Sequence, residues 1–186
     1  MLNVAHILGR KKLITNLNKQ IQSCTDCDLC YLDVNKFDLN HGKGKLTMFG
    51  TGKILFLGQN PSTQRFFKCS TPCDAGICKQ FIYTISNMGL DIEKVSLTNI
   101  VKCSTPDNRP PNIDEQNACK KWLNLEIELL QPTVIISLGR IATNVAKGLG
   151  FTGKMYDIWH PSFIQRYPKH KIEYRSKIEK ILEEIK

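Results

Sequence analysis

Cys24-Thr-Asp-Cys27 and a distant pair, Cys103 and Cys119, look like four thiolates collected round one metal centre. Cys30 is a rival for a place, because Cys27-Asp-Leu-Cys30 has the same two-residue gap. Four thiolates suit zinc and an iron–sulfur cluster alike, so the residue types leave the metal open, and ordinary core thiols are the plain alternative. Cys69, Cys73 and Cys78 complete the eight cysteines, and read either as buried or free thiols or as a second metal or redox site.

A chain of 186 residues can bury a core without disulfide staples. No apolar run opens it, and no stretch approaches the ~20 apolar residues of a membrane span. The expected location is cytoplasmic or nucleoid-associated, not secreted, where clustered thiols bind metal or do redox chemistry instead of forming bridges. A formal net charge of +9 favours a polyanionic partner, although a lysine-rich surface also serves solubility.

A second group of residues has little reason to be where it is for packing: Gly58-Gln-Asn-Pro-Ser62, Asn99, Gly139-Arg140 and His160-Pro-Ser162. Each follows directly on a short apolar run, at residues 53–58, 95–99, 133–138 and 155–159. Segments with helical spacing separate these runs, which predicts an α/β fold, a three-layer α/β/α sandwich on a mainly parallel four-stranded sheet. Residues 1–186 are expected to form one domain. In a parallel sheet the carboxyl ends of the strands share one edge, where ligands bind, so the four loops are expected to converge on one site.

The helices are predicted from their apolar stripes and stop signals. Ile14, Leu17 and Ile21 form one stripe, and Phe81, Ile82, Ile85 and Met88 another that ends at Gly89. A third helix starts near Asn112 or Asp114 and stops at Pro132; a short one covers residues 140–147, and an amphipathic one covers 172–185. Residues 39–52 read as a long surface loop.

The block Thr98-Asn-Ile-Val-Lys-Cys-Ser-Thr-Pro-Asp-Asn-Arg-Pro110, with Cys119 and Gln131-Pro-Thr-Val-Ile-Ile-Ser-Leu-Gly139, resembles the iron–sulfur uracil-DNA glycosylases called family 4. Cys24 and Cys27, the strand ending in Gly58-Gln-Asn-Pro61 and the His160-Pro-Ser162 motif fall in the same order as in that family, so the resemblance spans nearly the whole chain. It implies a [4Fe-4S] cluster on Cys24, Cys27, Cys103 and Cys119 with a structural role, and a monofunctional glycosylase that hydrolyses uracil from single- or double-stranded DNA in base excision repair as a monomer. No lysine stands out as a nucleophile for strand cleavage.

By the same resemblance, His160 donates to uracil O2 and Asn99 reads O4 and N3–H; Gly58 and Gln59 are expected to border the base, with backbone amides around Gln59 and Asn60 contributing to its pocket. Ser162 and Arg166 contact DNA in a loop that enters the helix, and Arg109 binds phosphate or simply pins the cluster loop. For His160, Asn99 and Asn60-Pro61 the bland alternative is a turn; for the segment after His160 it is a basic surface loop.

Two departures bear on specificity. Gln59-Asn60 stands where the family has Glu-Ala, and Asn60 resembles the water-positioning Asn of the mismatch-specific uracil and thymine glycosylases; an amide orients water but is a poor base. Pro72-Cys-Asp-Ala75 replaces a Pro-Phe-Val-Gly whose Phe stacks on the flipped base, leaving Phe66 or Phe67 to supply the ring. Action on another damaged base, or iron–sulfur DNA binding without turnover, are the competing functions.

Overall fold

The computed structural model describes residues 4–31, 48–61 and 76–185. Ser62, Phe66, Phe67, Cys69, Cys73, the Pro72-Cys-Asp-Ala75 segment and residues 39–47 of the expected loop lie outside them.

The four apolar runs are strands: β2 (Ile54–Gly58), β3 (Val95–Asn99), β4 (Val134–Leu138) and β5 (Lys154–Ile158). They pair in parallel in the order β3-β2-β4-β5. The sheet has five strands, not four: β1 (Phe49–Gly50) adds antiparallel to the outer edge of β3. A strand of two residues is too short to show alternation, so the segment reads as loop in sequence.

Successive residues of a strand point to opposite faces, and here both faces are covered. Ile54, Phe56, Ile136 and Leu138 pack under α2 (Gly76–Asn87) and α6 (Lys171–Ile185), with Phe81, Ile85, Ile178 and Ile181 opposite them. Leu55, Leu57 and Ile135 face α1 (Val4–Gln22), α3 (Ile113–Leu130) and α4 (Arg140–Lys147), meeting Ile14, Leu123, Leu130 and Ala142. The result is the expected α/β/α sandwich.

Local chemistry fixes the ends of α3. Asn112 Oδ1 accepts from Glu115 N and Glu115 Oε2 from Asn112 N, each at 2.8 Å, a reciprocal cap on two otherwise unpaired donors. At the other end Lys53 Nζ donates to the carbonyls of Leu130 and Gln131 at 2.8 and 2.9 Å. One helix was not expected: α5 (Pro161–Arg166) occupies what reads as a loop, with His160 as its N-cap and Pro161 in its first turn.

Candidate active site and cysteine cavity

The path from β2 to β3 leaves the sheet on one side and the path from β4 to β5 on the other. In such sheets the usual ligand position is where the connections diverge, here between the carboxyl ends of β2 and β4. Gly58 ends β2 in register with Asn99 at the end of β3. The parallel ladder runs two bonds further, with Ile100 N donating to Gly58 O at 2.9 Å and Val101 N to Gln59 O at 3.1 Å.

Two glycines let the site close up. A Cβ on Gly58 would lie 2.3 Å from Asn99 Oδ1, so only glycine admits the Asn99 side chain at this spot. Gly139, at φ +87°, packs against His160, and its would-be Cβ falls 3.4 Å from His160 Cβ. Gly139 N also donates to Ile158 O at 2.8 Å, tying the β4 exit to the strand that delivers His160. Asn99 is half-buried, and its side-chain amide hydrogen-bonds no other described residue.

Asn60 is held on every side. Its Nδ2 donates to Pro61 O at 3.0 Å and Thr105 Oγ1 at 3.1 Å, while its Oδ1 accepts from Gln59 Nε2 at 2.7 Å. Thr105 is fully buried and donates in turn to Arg109 O at 2.5 Å. Among the described residues Asn60 Oδ1 accepts the one hydrogen bond from Gln59, which leaves it the capacity to orient a water.

His160 Nδ1 accepts from Ser162 N at 3.2 Å and lies 2.7 Å from Ser162 Oγ. A proton on Nδ1 would oppose the Ser162 N–H, so a neutral ring carries its proton on Nε2. Burial, reinforced by the nearby Arg166 charge, pushes the His160 pKa down to about 4, which keeps the ring neutral at physiological pH. Trp159 and Phe163 back this turn, with ring centroids 5.5 Å apart.

Cys24, Cys27, Cys103 and Cys119 line one cavity between α1, α3 and the segment after β3, together with Cys30. Two of these sulfurs receive N–H donors: Trp122 Nε1 reaches Cys24 Sγ at 3.1 Å and Lys102 N reaches Cys119 Sγ at 3.2 Å. Such bonds stabilise thiolates bound to a metal. Burial pushes the Cys27 thiol up, and Cys119 up to about 11, so metal binding here would release protons. Among the described residues no group of three or more His, Cys, Asp or Glu is arranged to hold a metal ion. The five cysteines of this mixed lining offer a thiolate donor set that suits zinc and an iron–sulfur cluster alike.

The model of the Uracil DNA glycosylase superfamily matches residues 49–186. The chain belongs to that superfamily. It is 30% identical over 191 residues to a type-4 uracil-DNA glycosylase of Archaeoglobus fulgidus, an alignment that covers 90% of this chain and 91% of the relative. A type-4 uracil-DNA glycosylase of Thermotoga maritima is 30% identical over 133 residues, 72% of this chain and 65% of that one. A third, from Pyrobaculum aerophilum, is 24% identical over 86% of this chain and 90% of its own length.

For this superfamily member, the geometry around the expected DNA contacts is informative. Arg109 makes a two-pronged bond to buried Glu115, with Nη1 at 2.9 Å from Oε2 and Nη2 at 2.5 Å from Oε1. That pairing holds the Glu115 carboxyl below its usual pKa and is the arrangement expected of a residue that pins the loop to α3. The Ser162 hydroxyl is turned toward His160. Arg166, the last residue of α5, is exposed, with Nε on Ser162 O at 3.3 Å. Phe66 and Phe67 fall outside the described residues.

Three residues went unnoticed in sequence: Thr105, which holds Asn60, and the buried pair Lys102 and Glu126, 1% and 0% exposed. A lysine beside a cysteine and a glutamate on a helix carry no sequence signal of burial.

Proposed function

We propose that the protein hydrolyses the N-glycosidic bond of uracil in DNA as a monofunctional repair glycosylase. The observation that carries this reading is the neutral His160 whose Nδ1 is already occupied, so that its Nε2–H is the donor left for a substrate. The substrate enters as a nucleotide turned out of the stack, because a base inside a duplex is out of reach. As the C1′–N1 bond breaks, its electron pair goes to the base, and Nε2–H donates to uracil O2 where negative charge collects. The Asn99 side chain, with one donor and one acceptor, faces O4 and N3–H. Asn60 Oδ1 orients the water whose oxygen bonds to C1′; the water's proton passes to solvent, leaving an abasic site. Arg166 enters the vacated stack, and the protein acts as a monomer.

Cys24, Cys27, Cys103 and Cys119 hold a [4Fe-4S] cluster, which braces α1, α3 and the loop after β3. The relatives' shared type-4 name and the sulfur-lined cavity support this assignment.

The test is release of base from single-stranded and duplex oligonucleotides carrying uracil, hypoxanthine or hydroxymethyluracil. Alkali-labile product from uracil is expected; product only from another base moves the substrate, and binding without product removes the activity.

Asn60→Ala slows single-turnover release by about 10-fold with DNA affinity unchanged, since an amide contributes orientation and not basicity; affinity falling in step with rate would contradict it. The rate also stays flat as pH falls through 6.5, where an ordinary imidazole titrates, because His160 gains its proton only near pH 4. Stability behaves differently. The unfolded chain binds the extra proton first, so the contribution of neutral His160 is complete above pH 6.5 and is lost as pH falls toward 4. A pH–rate profile beside thermal melts checks both, and a rate inflection near 6.5 would refute the neutral donor.

A further inference from the structure

The buried pair behind Asn99 has a task beyond stability. Lys102 Nζ spends its three hydrogens on Thr98 Oγ1 at 2.8 Å, Asn99 O at 2.6 Å and Glu126 Oε2 at 2.5 Å. Thr98 Oγ1 itself donates to Glu126 Oε2 at 2.7 Å. Burying such a pair is costly; Glu126 Oε1 finds no hydrogen-bond partner among the described residues, and apolar residues of similar volume are often as stable or more so.

The arrangement acts on one peptide group. Between Asn99 and Ile100 the N–H is held by Gly58 O at 2.9 Å and the C=O by Lys102 Nζ at 2.6 Å. With both polar atoms fixed, the plane cannot turn, and the backbone torsion that aims the Asn99 side chain over Gly58 is set. The backbone N–H of Lys102 meanwhile donates to Cys119 Sγ, so one residue touches both the cysteine cavity and the end of β3.

We propose that Lys102 is a positioning residue for base recognition, holding the Asn99–Ile100 peptide so that Asn99 presents its amide to the base, with Glu126 serving to keep the lysine in place. The proposal rests on the uracil-excision reading for what Asn99 recognises, but not for the geometry it predicts.

Three variants separate positioning from mere stability. Lys102→Met strands Glu126 and is expected to lower the Tm by about 10 °C. Lys102→Met/Glu126→Leu removes the stranded charge and regains most of that Tm, yet releases uracil at least ~10-fold more slowly than wild type, with DNA affinity and iron content unchanged. Glu126→Gln keeps the lysine on Asn99 O, and is expected to lose stability while retaining release within ~3-fold.

Release that follows Tm across the three variants would overturn the proposal, as would a crystal structure of the double variant with the Asn99–Ile100 peptide unmoved. Should wild type release no uracil, the excision reading fails by itself, and the crystallographic comparison at Asn99 still decides the positioning claim.

Discussion

His160→Ala is expected to slow uracil release by 10²–10³-fold in single-turnover experiments while DNA affinity stays within ~3-fold of wild type. The argument is one of charge location. The leaving base gains its negative charge only as the bond breaks, so a donor aimed at O2 strengthens in the transition state and adds little to the ground-state complex. In water such a donor would be diluted by solvent; here the ring is half-buried and held by Ser162 and Gly139. Loss of one preorganised donor of this kind costs about 2.7–4 kcal/mol, which sets the expected range. Ser162→Ala should fall between the two, because it loosens the ring and leaves its proton in place. A His160→Ala enzyme that loses binding and rate together would mean that His160 shapes the fold and not the chemistry.

Cys103→Ser is expected to abolish the brown colour and iron content, and to leave a protein that melts far below wild type. Cys103 is buried and stands between Lys102 and Thr105, so the segment that supports Asn60 and Asn99 also delivers a sulfur to the cavity. Ligand free energy of this kind is folding free energy, since an unfolded chain has no preformed site. Cys30→Ser provides the contrast: with Cys24 and Cys27 as the ligands, it should keep full iron and colour. Absorbance, iron per chain and thermal melts measure both. A colourless wild type containing zinc would refute the cluster, and loss of iron in Cys30→Ser would hand Cys30 a ligand position.

Much of this fold could be read from sequence, for a physical reason. Strands covered on both faces are mainly apolar, so β2 and β4 announce themselves as apolar runs, broken in β4 only by Ser137, and the polar residues that follow them stand out by contrast. The Asn112 cap and the Pro132 stop fixed α3 equally plainly. β1 was invisible because two residues hold no period, and α5 because its cap is an imidazole, outside the usual Ser, Thr, Asp and Asn. Within the site, residue type suggested His160, Asn99 and Asn60, but not their wiring. Nothing in the string says that Ser162 turns to His160, that Thr105 grips Asn60, or that Lys102 and Glu126, 24 residues apart, meet in the interior. Those are contacts between side chains whose types suit the surface just as well.

The chain's two tryptophans mark its two centres of interest. Trp122 points its indole N–H at Cys24 Sγ, and Trp159 precedes His160 in stacking contact with Phe163. Intrinsic fluorescence therefore comes labelled by location without any added dye: replacing either indole leaves the other as a beacon. Emission from the first would dim when a strongly absorbing cofactor is assembled beside it, and emission from the second would respond when nucleic acid settles against the helix that His160 begins.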